Sequence, residues 1–234
     1  MRIAIISDVH GNFPALRAGL NTISRFKVDR IHFLGDAVGY LPWVNDVIRL
    51  LKKEKIVCQK GNHDMMLLGN QEIPKDKEDL YKIKEARDKL AEEDLRYINS
   101  WPEKRQIEVD KKKILLVHGS PEDPINGYIY PDNSLDSFKS LEGEYDAIFM
   151  GHTHLPFVKR SGKMLVVNVG SCGLPRDNGS LGSFCIFDTT AGDCEIYRFP
   201  INTEATIKAE KQVHPKILEL VDRKEPSTQG KIVR

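Results

Sequence analysis

The chain has 234 residues, with Lys+Arg 35 against Asp+Glu 34, a formal net charge of +1 and 40% hydrophobic residues. That size and balance fit one large domain, and they give no global pull toward nucleic acid or an anionic membrane surface. No apolar run is long enough to span a bilayer, and four cysteines (Cys58, Cys172, Cys185, Cys194) without CxxC spacing exclude a disulfide scaffold and a zinc ribbon.

Taken in chain order, the opening Met-Arg-Ile-Ala-Ile-Ile has no signal-peptide core, which predicts a cytoplasmic protein. Ile3–Ile6 reads as a strand that runs straight into Ser7-Asp8-Val9-His10, and a helix-period segment follows from Phe13 to Phe26 with Pro14 in its first turn. A second strand, Arg30–Leu34, ends at Gly35-Asp36, and Pro42–Lys53 is helical. Lys55–Cys58 is a third strand, followed by Gly61-Asn62-His63-Asp64. The charged stretch Lys75–Ser100 spaces Leu80, Ile83, Ala86, Leu90, Leu95 and Ile98 as one or two amphipathic helices. These could close over the neighbouring site or pack on the outside of a sheet. Lys111–Lys113 predicts a solvated hairpin, and Ile114–Val117 a strand ending at His118. Ala147–Met150 ends at Gly151-His152-Thr153-His154. Beyond Lys163 the pattern turns to strands at Met164–Val169, Ser183–Asp188 and Cys194–Phe199. A helical tail broken by Pro215 completes the chain. The domain reading is a single unit over 1–234, with a helical insertion at about 70–100 and a C-terminal helical tail at about 203–234.

Short, continuous, β-branched runs of this kind are strands buried on both faces. In open α/β sheets, ligands collect beyond the carboxyl ends of such strands. Five successive strands here end in groups that bind metals, and five of the seven histidines stand at those exits. Each cluster alone has a plain structural explanation: a helix cap at Asp8, a turn at Asp36, a loop at Asn62, a satisfied core histidine at His118. Five such accidents at one end of one fold are improbable together, and the joint reading is a metal centre. Mixed carboxylate, imidazole and amide donors suit Mn, Fe, Co, Ni or Zn, and there are more donors than one ion needs, which argues for two. Two divalent ions roughly 3.5–4 Å apart are the arrangement that clamps an in-line displacement at phosphorus.

The ordered series DVHG, GDAVG, GNHD, VHGS and GHTH resembles the calcineurin-like metallophosphoesterase superfamily, in its compact bacterial and archaeal phosphodiesterase branch, over residues 1 to 200. The resemblance implies an α/β/β/α sandwich: two facing mixed sheets flanked by helices, with the dimetal site at the strand ends. It implies that Asp8, His10 and His154 hold one ion, that Asn62, His118 and His152 hold the second, and that Asp36 bridges them. His63 would face the scissile phosphate, and a metal-bridging hydroxide would attack it. Asn168-Val169-Gly170-Ser171 resembles the late turn of the branch, and Arg176 just beyond it is a candidate substrate contact or a brace for that turn. Where protein Ser/Thr phosphatases and symmetrical dinucleoside tetraphosphatases continue with Asp-Arg-Gly, this chain has Gly39 and Tyr40. That weighs against a protein-phosphatase reading and leaves His63 without its usual carboxylate partner. Asp64, its neighbour on an extended chain, would point away.

The function expected is metal-dependent hydrolysis of a small phosphoester, a diester or nucleotide, with no membrane partner and no strong nucleic-acid signal. The alternatives are a dinucleoside polyphosphate hydrolase, a phosphomonoesterase and, from another class, a non-catalytic metal-stabilised interaction scaffold. The scaffolds of this fold typically lack the histidine that stands here as His63.

Overall fold

The unbroken apolar runs follow from strands that alternate between two cores. In β1 (Arg2–Ile6), Ile3 and Ile5 enter one core while Ala4 and Ile6 enter another. In β5 (Lys112–Val117), Ile114 and Leu116 share the first of these with β1, and Leu115 and Val117 pack on the opposite face. The same division recurs in β6 (Ala147–Met150) and β8 (Met164–Asn168). A period-2 pattern is invisible in the sequence because neither face meets water.

The computed structural model describes residues 1–202, 207, 213–224 and 229–233. Its strands form two mixed sheets packed face to face. In the first, β2 (Arg30–Phe33) and β3 (Val57–Cys58) run parallel to β1, and β9 (Leu181–Asp188), β10 (Asp193–Pro200) and β11 (Lys231–Ile232) extend the other side. The second has the order β4-β5-β6-β8-β7, where β4 is Lys104–Val109 and β7 is Phe157–Ser161; β5, β6 and β8 are parallel. The expected hairpin joins β4 to β5 through Asp110 and Lys111, both at positive φ (50° and 62°), as a two-residue turn matched to strand twist requires.

Helices α1 (Phe13–Ile23), α2 (Val44–Lys53), α5 (Ile83–Lys89) and α6 (Glu92–Asn99) supply buried residues to the outer face of the first sheet. The cap of α1 is Asn12, whose side chain accepts from the Ala15 amide, and not Asp8. The two sheets are flanked by helices as expected, the cover of the second being a short 3₁₀ helix at Asp136–Leu141 that inserts Phe138 against it. The preceding segment carries Pro121, Pro124 and Pro131, which interrupt a regular helix.

The stretch expected as one or two helices is three short ones, α4 (Glu78–Tyr81), α5 and α6. Lys82 at φ 55° and an extended Leu90 break it, although Ile83, Ala86, Leu90, Leu95 and Ile98 are buried as the spacing required. Between β3 and α4, residues expected as loop form a helix, α3 (Asn62–Leu67). Of the expected tail helix, α7 (Pro215–Asp222) is observed, with Pro215 starting it in the tolerated first position and His214 capping it. Residues 203–206, 208–212, 225–228 and 234 of that tail lie outside the described residues.

Arg198 on β10 is fully buried and forms a bidentate pair with Asp177, at 2.5 Å and 2.9 Å. The pair ties the turn after β8 to the first sheet. Removing one member strands a buried charge, which typically costs about 3–5 kcal/mol. Arg198→Met is therefore expected to lower the denaturation midpoint strongly, and Arg198→Met with Asp177→Leu to recover most of the loss. Equal midpoints for the single variant and the parent would show that the pair is not structural.

Candidate metal centre

All five histidine- and carboxylate-bearing exits meet at one rim, where the carboxyl ends of both sheets' parallel strands adjoin. Backbone bonds close this rim across elements: His10 N donates to Asp36 O at 2.9 Å, Gly151 N to His118 O at 2.9 Å and Cys172 N to Ser7 O at 2.8 Å. Asp8, His10, Asp36, His152 and His154 all have positive φ, between 51° and 67°. Left-handed backbone at non-glycine residues costs about 1–3 kcal/mol each and clusters at functional sites. Here it turns the chain at the ends of β1, β2 and β6, and in the pairs Asp8/His10 and His152/His154 both residues face inward.

Eight of the nine residues predicted from sequence converge, and none of the eight is more than 7% exposed. Donor atoms of Asp8, His10 and His154 lie within 4.8 Å of one another, as do those of Asp36, His118 and His152. Asn62 joins the second group, its Oδ1 3.1 Å from His118 Nε2. Asp36 lies between the groups: its Oδ2 is 3.6 Å from His10 Nε2 and 3.5 Å from His118 Nε2. His63 also reaches His10 and Asp36 within 4.8 Å. The ninth residue, Arg176, stands outside the cluster, half-buried, with its backbone N donating to His154 O at 3.3 Å.

The hydrogen bonds decide which nitrogens carry protons. His10 Nδ1 faces Val38 O at 3.2 Å, His154 Nδ1 faces Leu174 O at 2.5 Å and His118 Nδ1 faces Leu34 O at 3.1 Å. A carbonyl only accepts, so each Nδ1 holds a proton, and in the neutral ring Nε2 presents the lone pair. Yet His10 Nε2 and His154 Nε2 are 3.0 Å apart, with Asp8 Oδ1 3.3 Å from the latter and without a hydrogen-bond partner among the described residues. Lone pairs aimed at one another in a buried space are repulsive until a cation lies between them. The donor set therefore fits divalent metal ions.

Charge follows the same logic. Burial alone would raise the Asp8 and Asp36 carboxyls, but the surrounding imidazoles hold both below the usual carboxylate range. Burial pushes His10 well below its ordinary value and His152 down to about 3, which keeps these rings neutral, the form that ligates metal. Burial opposes a charge on His118 too, but Asp36 outweighs it and raises that ring to about 9, so its Nε2 also carries a proton at neutral pH, one that a bound ion displaces. Outside the site, His32 is a core residue of β2, lowered to about 4 by burial and then by Arg105 and Arg30.

His63 opens α3. Its backbone N donates to Asp36 Oδ1 at 2.9 Å, and its ring forms a triangle with Tyr40 (centroids 4.9 Å, stacked) and Tyr81 (4.5 Å), which are 5.2 Å from each other. Its Nδ1 is turned to Gly39, where a Cβ would approach to 2.4 Å, and has no partner among the described residues. No carboxylate among the described residues hydrogen-bonds its Nδ1, as Gly39 and Tyr40 implied, and aromatic packing holds the ring instead.

Asp64 does point away from His63, but because successive helical residues diverge by about 100° rather than because the chain is extended. Its buried carboxylate accepts from Asp36 N at 2.7 Å, Gly61 N at 2.9 Å and Ala37 N at 3.1 Å. Burial and the neighbouring Asp36 push it up to about 7. Sequence reasoning missed this support; its signal is a carboxylate three residues after a strand-exit glycine, half of a capping box. Tyr128, also missed, lies over His152 with ring centroids 4.0 Å apart, and is half-exposed in a loop without periodicity.

Comparison with known proteins is consistent with this geometry. Residues 1–192 match the family model described as "Calcineurin-like phosphoesterase superfamily domain". The chain is 33% identical over 213 residues to an uncharacterized protein of Methanocaldococcus jannaschii, covering 84% of this chain and 86% of that one. It is 25% identical over 174 residues to a phosphodiesterase of the same organism, covering 74% and 84%. A metallophosphoesterase from Sphaerobacter thermophilus superposes with a TM-score of 0.78 at 29% identity, covering 94% of this chain and 98% of that one.

Asp64→Ala leaves three buried N–H groups without their acceptor, at about 1–3 kcal/mol each. The variant is expected to melt several degrees lower and to lose metal on dialysis, with Asp64→Asn intermediate because it keeps one acceptor oxygen. Thermal melts and metal analysis check this; parent-like values in Asp64→Ala would contradict it.

Proposed function

The chain belongs to the calcineurin-like phosphoesterase superfamily, and from that premise we propose a dimetal phosphodiesterase acting on small or nucleotide substrates. Asp8, His10 and His154 would hold one ion, Asn62, His118 and His152 the second, and Asp36 both. The observation that carries this reading is the position of Asp36 Oδ2, 3.6 Å from a nitrogen of the first group and 3.5 Å from one of the second. When bound, two divalent ions supply Lewis-acid stabilisation of phosphoryl oxygens and a nucleophile at neutral pH. The N and O donors suit Mn, Fe, Co, Ni or Zn, with Mn²⁺ the ion to try first.

The chain's own residues orient the ester. His63 rides on Asp36 through its backbone N, and two tyrosine rings fix its plane, so Nε2 lies on the ring edge away from Gly39. Burial lowers the ring to about 4, so it is neutral at pH 7. An N–H on Nε2 then donates to the oxygen on which charge develops as the leaving group departs. This role separates an enzyme from a metal-stabilised scaffold, which needs no oriented histidine. Tyr40 stands where an arginine would neutralise a second phosphate charge, which favours the monoanion of a diester over the dianion of a monoester. The M. jannaschii relative named a phosphodiesterase supports the same choice. Four free cysteines, three of them buried, support a reducing compartment such as the cytoplasm.

Chelator-treated protein is expected to be inactive and to recover with Mn²⁺. It should then hydrolyse bis(p-nitrophenyl) phosphate with a higher kcat/KM than p-nitrophenyl phosphate. Hydrolysis by protein shown to be metal-free, or a clear preference for the monoester, would contradict the reading. His63→Ala should lower kcat by about 10²–10³-fold, the usual effect of losing one preorganised donor, with metal content unchanged. Loss of both ions in that variant would make His63 a ligand instead.

A further inference from the structure

A groove of about 370 Å³ adjoins the metal centre, lined by Tyr40, Tyr81 and Arg176 on the near side and by Lys216, Glu219 and Arg223 of the α7 region on the far side. Its volume falls within the about 300–1,000 Å³ of small-molecule sites. One ring separates it from the site: Tyr40 lines the groove and sits 4.7 Å from the His10 ring and 4.9 Å from the His63 ring. Arg176 is anchored to the same place by its backbone bond to His154 O.

The charge is one-sided. Among the described lining residues, Lys77, Arg176, Lys216 and Arg223 meet one acidic side chain, Glu219. Lys77 is paired with Asp76 at 3.3 Å, and Arg223 Nη1 donates to Arg176 O at 3.1 Å. The guanidinium of Arg176 and the ammonium of Lys216 meet no carboxylate within ion-pair distance among the described residues. Unsatisfied cations beside a phosphoester site, one of them an arginine suited to bidentate phosphate contact, are complementary to a second anionic group.

We propose that this groove is a subsite for a second phosphate of the substrate, so that the ester cleaved is part of a small nucleotide carrying a further phosphate group. The inference rests on phosphoester hydrolysis at the metal centre and adds to it the substrate class. The scissile phosphate and the second phosphate are recognised by different parts of the chain. The cation absent at Tyr40 is supplied one ring away, to a neighbouring group instead of to the phosphate under attack.

The test compares two substrates on one protein with Mn²⁺: thymidine 5′-(p-nitrophenyl phosphate) and the same ester bearing a 3′-phosphate. The 3′-phosphate is expected to raise kcat/KM about ten-fold, consistent with one hydrogen bond to a charged group. That ratio should fall toward one in Arg176→Ala and in Lys216→Ala, rise in Glu219→Gln, and shrink with added KCl. A ratio of one in the parent, with both esters hydrolysed, overturns the subsite and leaves the phosphodiesterase reading intact. A ratio unchanged by Arg176→Ala and Lys216→Ala overturns it as well. If neither ester is hydrolysed, the hydrolase reading fails first. Calorimetric titration of chelator-treated protein with adenosine 3′,5′-bisphosphate then reads the groove alone. Saturable binding weakened by Lys216→Ala supports the subsite, and no binding overturns it.

Discussion

A buried carboxylate between two sets of imidazoles is the constraint on which the rest of the structure depends. Asp36 is about 1% exposed, lies 3.5–3.6 Å from nitrogens of two donor groups, and also holds the backbone of His63. Burying such a charge is costly unless counter-charges and hydrogen bonds surround it. Three amides answer to Asp64, the carboxylate beneath it, and Gly61 leaves the room: a Cβ there would come within 2.2 Å of Asp36 Oδ1. The strand exits, the tight turn and the supporting carboxylate are one arrangement serving one oxygen.

The fold makes that arrangement possible by bringing two sheets to a common rim. Asp8, His10, Asp36, Asn62 and His63 follow strands of the first sheet, and His118, His152 and His154 follow strands of the second. Neither sheet alone holds all the donors of either proposed ion, so packing of the sheets completes the site. The turn after β8 locks the two together: Ser171 Oγ donates to Asp8 O and Cys172 N to Ser7 O. The Arg198–Asp177 pair holds the far side of that turn and, with it, the start of the cationic groove.

Much of this was legible in the sequence because strand exits are marked by chemistry as well as by pattern. Abrupt changes from Ile, Val and Leu to Asp, Asn and His marked the candidate ligands, and eight named residues do converge. What stayed hidden has local physical reasons. Edge strands β4 and β7 alternate with exposed polar residues and carry no apolar run. Helix α3 begins inside the GNHD block, where ligand chemistry masks helix signals. The fourth layer is a 3₁₀ turn because prolines interrupt its segment. Tyr81 reaches the site from the end of α4 and Tyr128 from a loop, a relation that spacing cannot encode. Arg176 was legible only as a cation near a turn, and its groove needed α7, some forty residues further on.

The most direct measurement is the metal-to-protein ratio of Asp36→Asn beside the parent, after equilibration with Mn²⁺ and removal of free ion. An amide keeps the shape but cannot offset repulsion between two dications. A parent ratio near two that drops well below one in Asp36→Asn, because both ions weaken together, is the expected result. Retention of two ions, or loss of only one, would contradict a carboxylate shared between them.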